Sequence, residues 1–201
     1  MLGHPFDAKQ GWGRFNAAPV LDPEMTVLYF DHPFVFDDTG DTWTYTFSTA
    51  EPILGLRAML AWTDAPGHGL GGYTPAWVNN LDLSLSAHGK TYLGNHFGSD
   101  GYSTPGGTAD PMNNTEGIFL AKSPGGSYTL TVTAANISGD GLPNFGDGTD
   151  QDFALVIYIY DGKPTPRFYF PAFYLSPEPP SLDFRNYFPI PVSYTHLRAH
   201  E

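Results

Sequence analysis

The chain has 201 residues, 21 acidic against 9 basic side chains, and a formal net charge of −12. That acidity opposes binding to phosphate backbones, no apolar run reaches the roughly 20 residues of a membrane span, and the absence of Cys excludes disulfides and thiol chemistry. The 23 Gly and 19 Pro argue against a helical bundle, while 41% hydrophobic residues argue against disorder.

The N-terminal Met1-Leu2-Gly3-His4-Pro5 has no basic start and no apolar stretch after it, so no secretory signal is read there. From residue 26 onward strand follows strand. Thr42 to Phe47 alternates aromatic residues with threonines, the period of a half-buried strand. Leu54, Leu56, Ala58, Leu60 and Trp62 repeat that period. So do Leu81, Leu83 and Leu85, and then Tyr128, Leu130, Val132 and Ala134. Phe153 to Tyr160 is apolar throughout and reads as a central strand covered on both faces. Between these segments, 65–72, 98–111 and 139–150 are rich in the Gly, Asp, Asn and Pro that accept turn dihedrals. Roughly eight short strands without a long helix predict an all-β, jelly-roll-like antiparallel β-sandwich over residues 23–161. Residues 162–191 interleave Pro with Phe and Tyr and read as an extended tail or linker. Residues 192–201 resemble translated adapter read-through and are expected to be non-native.

The charge is concentrated. Residues 26–161 hold fifteen acids and three bases, so this segment alone carries −12. Solvation, salt or bound cations must offset it.

Several stretches together resemble a known family. Gln10-Gly11-Trp12-Gly13-Arg14-Phe15-Asn16 is similar to the closing run of a subtilisin-like catalytic domain. The next are Leu60-Ala61-Trp62-Thr63-Asp64-Ala65-Pro66-Gly67 and Val78-Asn79-Asn80-Leu81-Asp82-Leu83 followed by Tyr92-Leu93-Gly94-Asn95. Asp110-Pro111-Met112-Asn113-Asn114-Thr115-Glu116, Gly126 to Leu130 and Gln151 to Val156 complete the series. In this order they resemble the C-terminal β-sandwich of large secreted subtilases, the KP-43-type serine proteases. The resemblance covers about residues 10–160. It implies that residues 1–22 are the end of an α/β catalytic domain and that Met1 is an internal codon or an artefact of gene prediction. It also implies a secreted parent enzyme whose upstream catalytic domain is the partner of this sandwich and whose substrates are proteins. The chain departs from the family at Asn80, where an Asp is usual, and its 139–150 loop looks longer than in relatives. The Gly-Thr-Ser-Met-Ala nucleophile motif is absent.

The chain carries no Gly-x-Ser-x-Gly elbow, and its scattered His residues form no recognisable triad, so no catalytic residue is assigned. Calcium is the better candidate, because it takes six to eight oxygens from carboxylates, amides and carbonyls on irregular loops. Asp64, Asn80, Asp82, Asp110, Asn113 and Glu116 are expected to converge at one edge of the sandwich. Asp140, Asp147, Asp150 and Asp152 form a second acidic cluster. Asp64 has a plainer reading as a residue capping the 65–67 turn. Trp43, Trp62, Trp77 and Tyr73 allow a sugar-stacking platform, although Trp43 and Trp62 fall in phase with the core. Asn113-Asn114-Thr115 and Asn136-Ile137-Ser138 are glycosylation triplets. The expected function is a non-catalytic module that stabilises a protease domain, with calcium, and shapes substrate access. The alternatives are a free-standing module binding glycan or protein, and an interaction domain in a protease-like protein whose triad is lost.

Overall fold

Alternation of apolar and polar side chains dictates extended chain, and the computed structural model realises it as nine strands and no helix among the described residues, 11–13, 25–69, 75 and 77–162. They are β1 (Met25–Asp31), β2 (Thr42–Thr49), β3 (Gly55–Ala61), β4 (Asn80–Ala87) and β5 (Lys90–Phe97). β6 (Ser103–Pro105), β7 (Thr115–Leu120), β8 (Gly126–Asn136) and β9 (Ala154–Tyr160) follow. They form two sheets, β1-β9-β3-β7 and β2-β8-β4-β5-β6, with every strand pair antiparallel. The first four strands alternate between the sheets. This is jelly-roll order with β6 added at one edge.

Register follows from which faces must be buried. β2 sets Trp43, Tyr45 and Phe47 opposite Val132, Leu130 and Tyr128 of β8. β4 sets Leu83 and Leu85 opposite Val132 and Leu130. The threonines of β2 and β8 lie on the other face, where the Thr46 and Thr129 hydroxyls meet at 2.9 Å. A slip of one residue would turn every one of these apolar side chains outward. Facing them from the other sheet are Leu56, Ala58, Leu60, Ile118, Leu155 and Ile157, all fully buried. Each large aliphatic side chain so buried contributes about 1.5–3 kcal/mol. The β4–β5 hairpin closes through His88 and Gly89, both at positive φ (52° and 70°), as a tight two-residue turn requires.

Two expectations need correction. Leu54 precedes β3 and is 42% exposed, so the buried series of that segment starts at Leu56. β9 is interior in its sheet, between β1 and β3, but only one of its faces is buried. Leu155, Ile157 and Ile159 point to the core, while Val156, Tyr158 and Tyr160 are half-buried on the outer face. Composition cannot tell such a strand from one sandwiched on both sides. The expected segments 162–191 and 192–201 and, apart from Gly11, Trp12 and Gly13, the expected catalytic-domain remnant 1–22 lie outside the described residues, save residue 162.

One fully buried amide ties the loops at the head of β4. Asn79 Oδ1 accepts from the N–H groups of Ser138 (2.9 Å) and Gly139 (3.0 Å). Its Nδ2 lies 2.9 Å from Gly139 O, 3.2 Å from Asp150 O and 3.0 Å from Gln151 Oε1. Asn79→Ala would strand several of these groups, and each stranded group costs about 1–3 kcal/mol. Urea unfolding should show a midpoint lowered accordingly with an unchanged denaturant slope; an unaltered midpoint would mean that water replaces the amide freely.

Candidate functional site

The corner where β5 parts from β4 gathers most of the predicted polar residues. Pairing of β4 with β5 stops at Ser84 opposite Leu93. Beyond it β5 turns through Asn95, a non-glycine residue at φ 58°. The turned chain is held to β7 by the Asn95 side chain, which imitates a strand. Its Oδ1 accepts from Gly117 N (2.9 Å) and its Nδ2 donates to Thr115 O (2.9 Å). The same Nδ2 donates to Asp110 Oδ2 at 2.5 Å.

Glu116 enters the space this turn opens. It sits on the inner face of β7, 1% exposed. Its Oε2 accepts from Leu83 N (2.7 Å), just past the end of the β4–β5 ladder. Residue 94 must be glycine, because a Cβ there would overlap the Glu116 carboxylate. Oε1 has no hydrogen-bond partner among the described residues, and neither has the buried Oδ1 of Asn80. Burial pushes the Glu116 carboxyl up to about 8; the Leu83 bond opposes this, and the charges of Asp82 and Asp110 add to it. Burial likewise raises Asp82, against the hydrogen bond from Asn80 Nδ2 (3.1 Å), with Asp110 adding to the rise. Asn113 Nδ2 donates to Asp110 Oδ2 (2.7 Å), and Met112 N to Asp110 Oδ1 (2.9 Å).

The corner therefore brings together Asn80, Asp82, Asp110, Asn113 and Glu116, with Asn95 as its hinge. Asp64 is used elsewhere. Its two oxygens accept from Val78 N (2.7 Å) and Asn79 N (2.9 Å), so it caps the start of β4 and not the 65–67 turn. Trp62 is a core residue whose Nε1 donates to Asn79 O (3.2 Å), and Asn114 Nδ2 donates to Trp62 O (3.2 Å). Pro66 is exposed. Arg14 and Tyr73 lie outside the described residues. Trp43 packs against the core, and the Trp77 indole N–H is taken by Pro111 O (2.8 Å), so three of the four proposed platform aromatics have internal duties. Both glycosylation-triplet amides are hydrogen-bonded: Asn113 to Asp110, and Asn136 to Val78 O (2.8 Å).

Asn95 and Gly94 escaped the polar-cluster reasoning. The Gly-Asn pair following an alternating strand was the available signal, since both residues accept conformations that end regular pairing. Among the described residues no group of three or more His, Cys, Asp or Glu side chains forms a ready-made metal centre. A hard cation at the corner would draw on amide and main-chain oxygens as well as the carboxylates. The buried, partnerless oxygens of Glu116 and Asn80 are of that kind.

A second feature lies on the outer face of the first sheet. The Trp12 indole rests over Gly117, where a Cβ would come within 2.9 Å of the ring. It meets Phe97 edge-on (centroids 6.4 Å apart) and Phe119 at a tilt (6.1 Å), and its Nε1 donates to Thr115 Oγ1 (3.3 Å). Val27, Tyr29, Met59, Val156 and Tyr158 extend the apolar character of this face, with Tyr29 47% exposed, and the exposed Arg57 interrupts it, its guanidinium 5.0 Å from the Phe119 ring centroid.

No protein-family model matches the chain. A curated Dictyostelium discoideum protein, named serine protease/ABC transporter B family protein tagA, is 34% identical over 128 residues. The match takes in 62% of this chain and only 7% of that protein. Among solved structures, the fold is similar to a GH115 4-O-methyl-α-glucuronidase with specificity for decorated arabinogalactans, at TM-score 0.27 and 15% identity over 59% of this chain and 13% of that one. It is also similar to the VP2 subviral particle of infectious bursal disease virus, at TM-score 0.33 and 14% identity over 83% of this chain and 38% of that one. Likenesses this slight bear on nothing further.

Glu116 makes a signed prediction. Between its ordinary value of 4.5 and about 8 it is protonated when folded and ionised when unfolded. The unfolded state then binds fewer protons, so stability without added cations should fall as pH rises across that window, by at most about 1.4 kcal/mol per pH unit. Urea unfolding across the window should show this slope, and Glu116→Gln should flatten it. A wild-type profile already flat would mean that the carboxylate is ionised and compensated.

Proposed function

We propose that this chain is the non-catalytic C-terminal β-sandwich of a secreted subtilisin-like serine endopeptidase of the KP-43 type. Its role is to pack on the catalytic domain, stabilise it and shape access for protein substrates. The observation that carries this reading is the seat of Trp12. The Gly11-Trp12-Gly13 run, which resembles the exit of a subtilase domain, lies on the apolar outer face of the first sheet, in the space Gly117 leaves. A domain preceding that run would lie next to the half-buried Tyr158, Val156 and Met59 and the exposed Tyr29. The partial likeness to a protein named as a serine protease supports the same reading.

Calcium at the corner belongs to the proposal. Glu116, Asp82, Asp110 and the Asn80 amide oxygen would hold it, and the bound ion would offset the charges of Asp82 and Asp110 that raise the Glu116 carboxyl. Binding to the folded state alone adds stability by mass action. It would also release the proton held by Glu116, so affinity should rise with pH.

Two measurements test the reading. The genomic sequence upstream of codon 1 should continue in frame into a catalytic domain with a Gly-Thr-Ser-Met-Ala segment. The extended protein should react with a serine-directed fluorophosphonate while the 201-residue chain does not. A stop codon immediately upstream would overturn the protease reading and leave a free-standing binding module. Separately, millimolar calcium should raise the thermal midpoint of the chain and abolish its loss of stability with pH. Glu116→Gln should remove the corner's share of that rise. A wild-type midpoint unmoved by calcium or chelator would eliminate the cation.

A further inference from the structure

A sandwich of two open sheets exposes four strand edges, and an edge is a row of main-chain N–H and C=O groups open to another chain. Here the edge strands are β1 and β7 of the first sheet and β2 and β6 of the second. Three of them carry a feature that blunts pairing. Side chains occupy the outer main-chain groups of β7: the Asn95 amide bonds Gly117 N and Thr115 O, and Ser103 Oγ accepts from Phe119 N (2.9 Å). β6 is three residues long and ends in Pro105. β1 ends in the charged Asp31.

β2 has none of these features. It is the longest of the four and reads Thr-Trp-Thr-Tyr-Thr-Phe-Ser-Thr, without charge or Pro. It pairs with β8 over its whole length with no register shift, and no strand pairs with its other side among the described residues. Ala134 N donates to Asp41 O (2.8 Å) just before β2 begins. Antiparallel pairing alternates from there, so Trp43, Tyr45 and Phe47 turn their main-chain groups to β8. Thr42, Thr44, Thr46 and Ser48 turn theirs to the free edge. In a segment with fifteen acids and three bases, an uncharged edge of 8 residues is the exception.

A second copy of the same strand fits this edge. Exposed hydroxyls of Thr42, Thr44, Thr46 and Ser48 stand on the outer face of β2, and half-buried Trp43, Tyr45 and Phe47 stand on the inner. The rings stack along the strand, Trp43 and Tyr45 with centroids 6.2 Å apart and Tyr45 and Phe47 6.3 Å apart. Antiparallel docking about a twofold axis at Tyr45 sets like against like. Thr42 of one copy meets Ser48 of the other, and Thr44 meets Thr46, in pairs whose outward N–H and C=O groups bond each other. Trp43 meets Phe47, and Tyr45 meets Tyr45, which covers the half-buried rings from the free edge. Aromatic pairs and hydroxyl pairs across strands both stabilise a sheet, and this sheet already contains one of the latter, Thr46 with Thr129 at 2.9 Å. A shift of one residue would set rings against hydroxyls, so the register is specified. We infer that this chain forms a twofold dimer through β2, which joins two five-stranded sheets into one continuous sheet. The inference does not depend on the protease reading.

The test uses the full chain at about 0.15 M salt, which screens charges farther apart than about 8 Å and so removes most of the repulsion between two acidic chains. Sedimentation equilibrium should show a monomer–dimer equilibrium at micromolar concentration. Thr44→Lys with Thr46→Lys changes only exposed outer-face side chains and sets like charges opposite each other. It should weaken association by about tenfold or more, with the far-ultraviolet spectrum of the chain unchanged. Thr44→Glu with Thr46→Glu should do the same alone, and an equal mixture of the two variants should restore the dimer. The chain has no Cys, so Tyr45→Cys reports the register cleanly. Mild oxidation should link two copies at that position, where facing Cα atoms lie within disulfide reach, and should leave Thr42→Cys unlinked, since its two copies sit about 20 Å apart across the axis. A wild-type chain that stays monomeric into the millimolar range, or a dimer that both charge variants leave intact, would overturn the inference, and a dimer that Tyr45→Cys fails to link would overturn its register.

Discussion

The hydrogen bond from Leu83 N to Glu116 Oε2 is the constraint around which one end of the sandwich is built. A jelly roll must pass chain from one sheet to the other, and wherever a strand departs, its neighbour loses pairing partners. Here β5 parts from β4 after Leu93, and a carboxylate from the opposite sheet supplies the acceptor that Leu83 would otherwise lack. The arrangement links the two sheets through one side chain. It also commits a carboxyl to a dry place, where burial holds it protonated up to about pH 8, and everything around Glu116 responds to that commitment. Gly94 must have no side chain, Asn95 must turn the strand, and Asp82 and Asp110 lie near enough to raise the carboxyl further.

The corner is thus a structural element and an electrostatic one together. Asn95 supplies main-chain-like bonds to β7 and holds Asp110 in place with the same amide nitrogen. Removing charge from the corner and removing order from the strand crossing are therefore not separable by deleting Asn95. They are separable at Glu116, where Gln keeps the shape and changes only what the site must neutralise.

Much of the fold was legible because period 2 is hard to imitate. β2, β4 and β8 declare their buried faces residue by residue, and their observed register pairs those faces. β7 was less legible because Glu116 occupies an inward position where an apolar residue is expected. β9 was legible as a strand but not in its exposure, since Val156, Tyr158 and Tyr160 are as apolar as the residues facing the core. The polar residues were harder still. A carboxylate that caps main-chain N–H groups and one that sits buried in a corner have the same composition and similar loop context. Asp64 was accordingly grouped with Glu116, although it spends both oxygens on Val78 and Asn79. Asn79 drew notice only as part of a motif, because nothing in a sequence announces that an amide will be fully buried.

The distribution of charge gives the acidity a sharper meaning. Fifteen acids lie in residues 26–161, yet Glu116 and Asp150 are the carboxylates buried among the described residues. Each retains one oxygen without a partner, each has an acidic neighbour that raises it, and each faces a glycine that leaves no room for a side chain. Exposed acids can be accommodated by water and salt and require no special architecture. Two dry ones, Glu116 on β7 and Asp150 in the 139–150 loop, are not explained by a generally acidic surface. A buried carboxyl with an unpartnered oxygen is costly to ionise, so burial raises both groups.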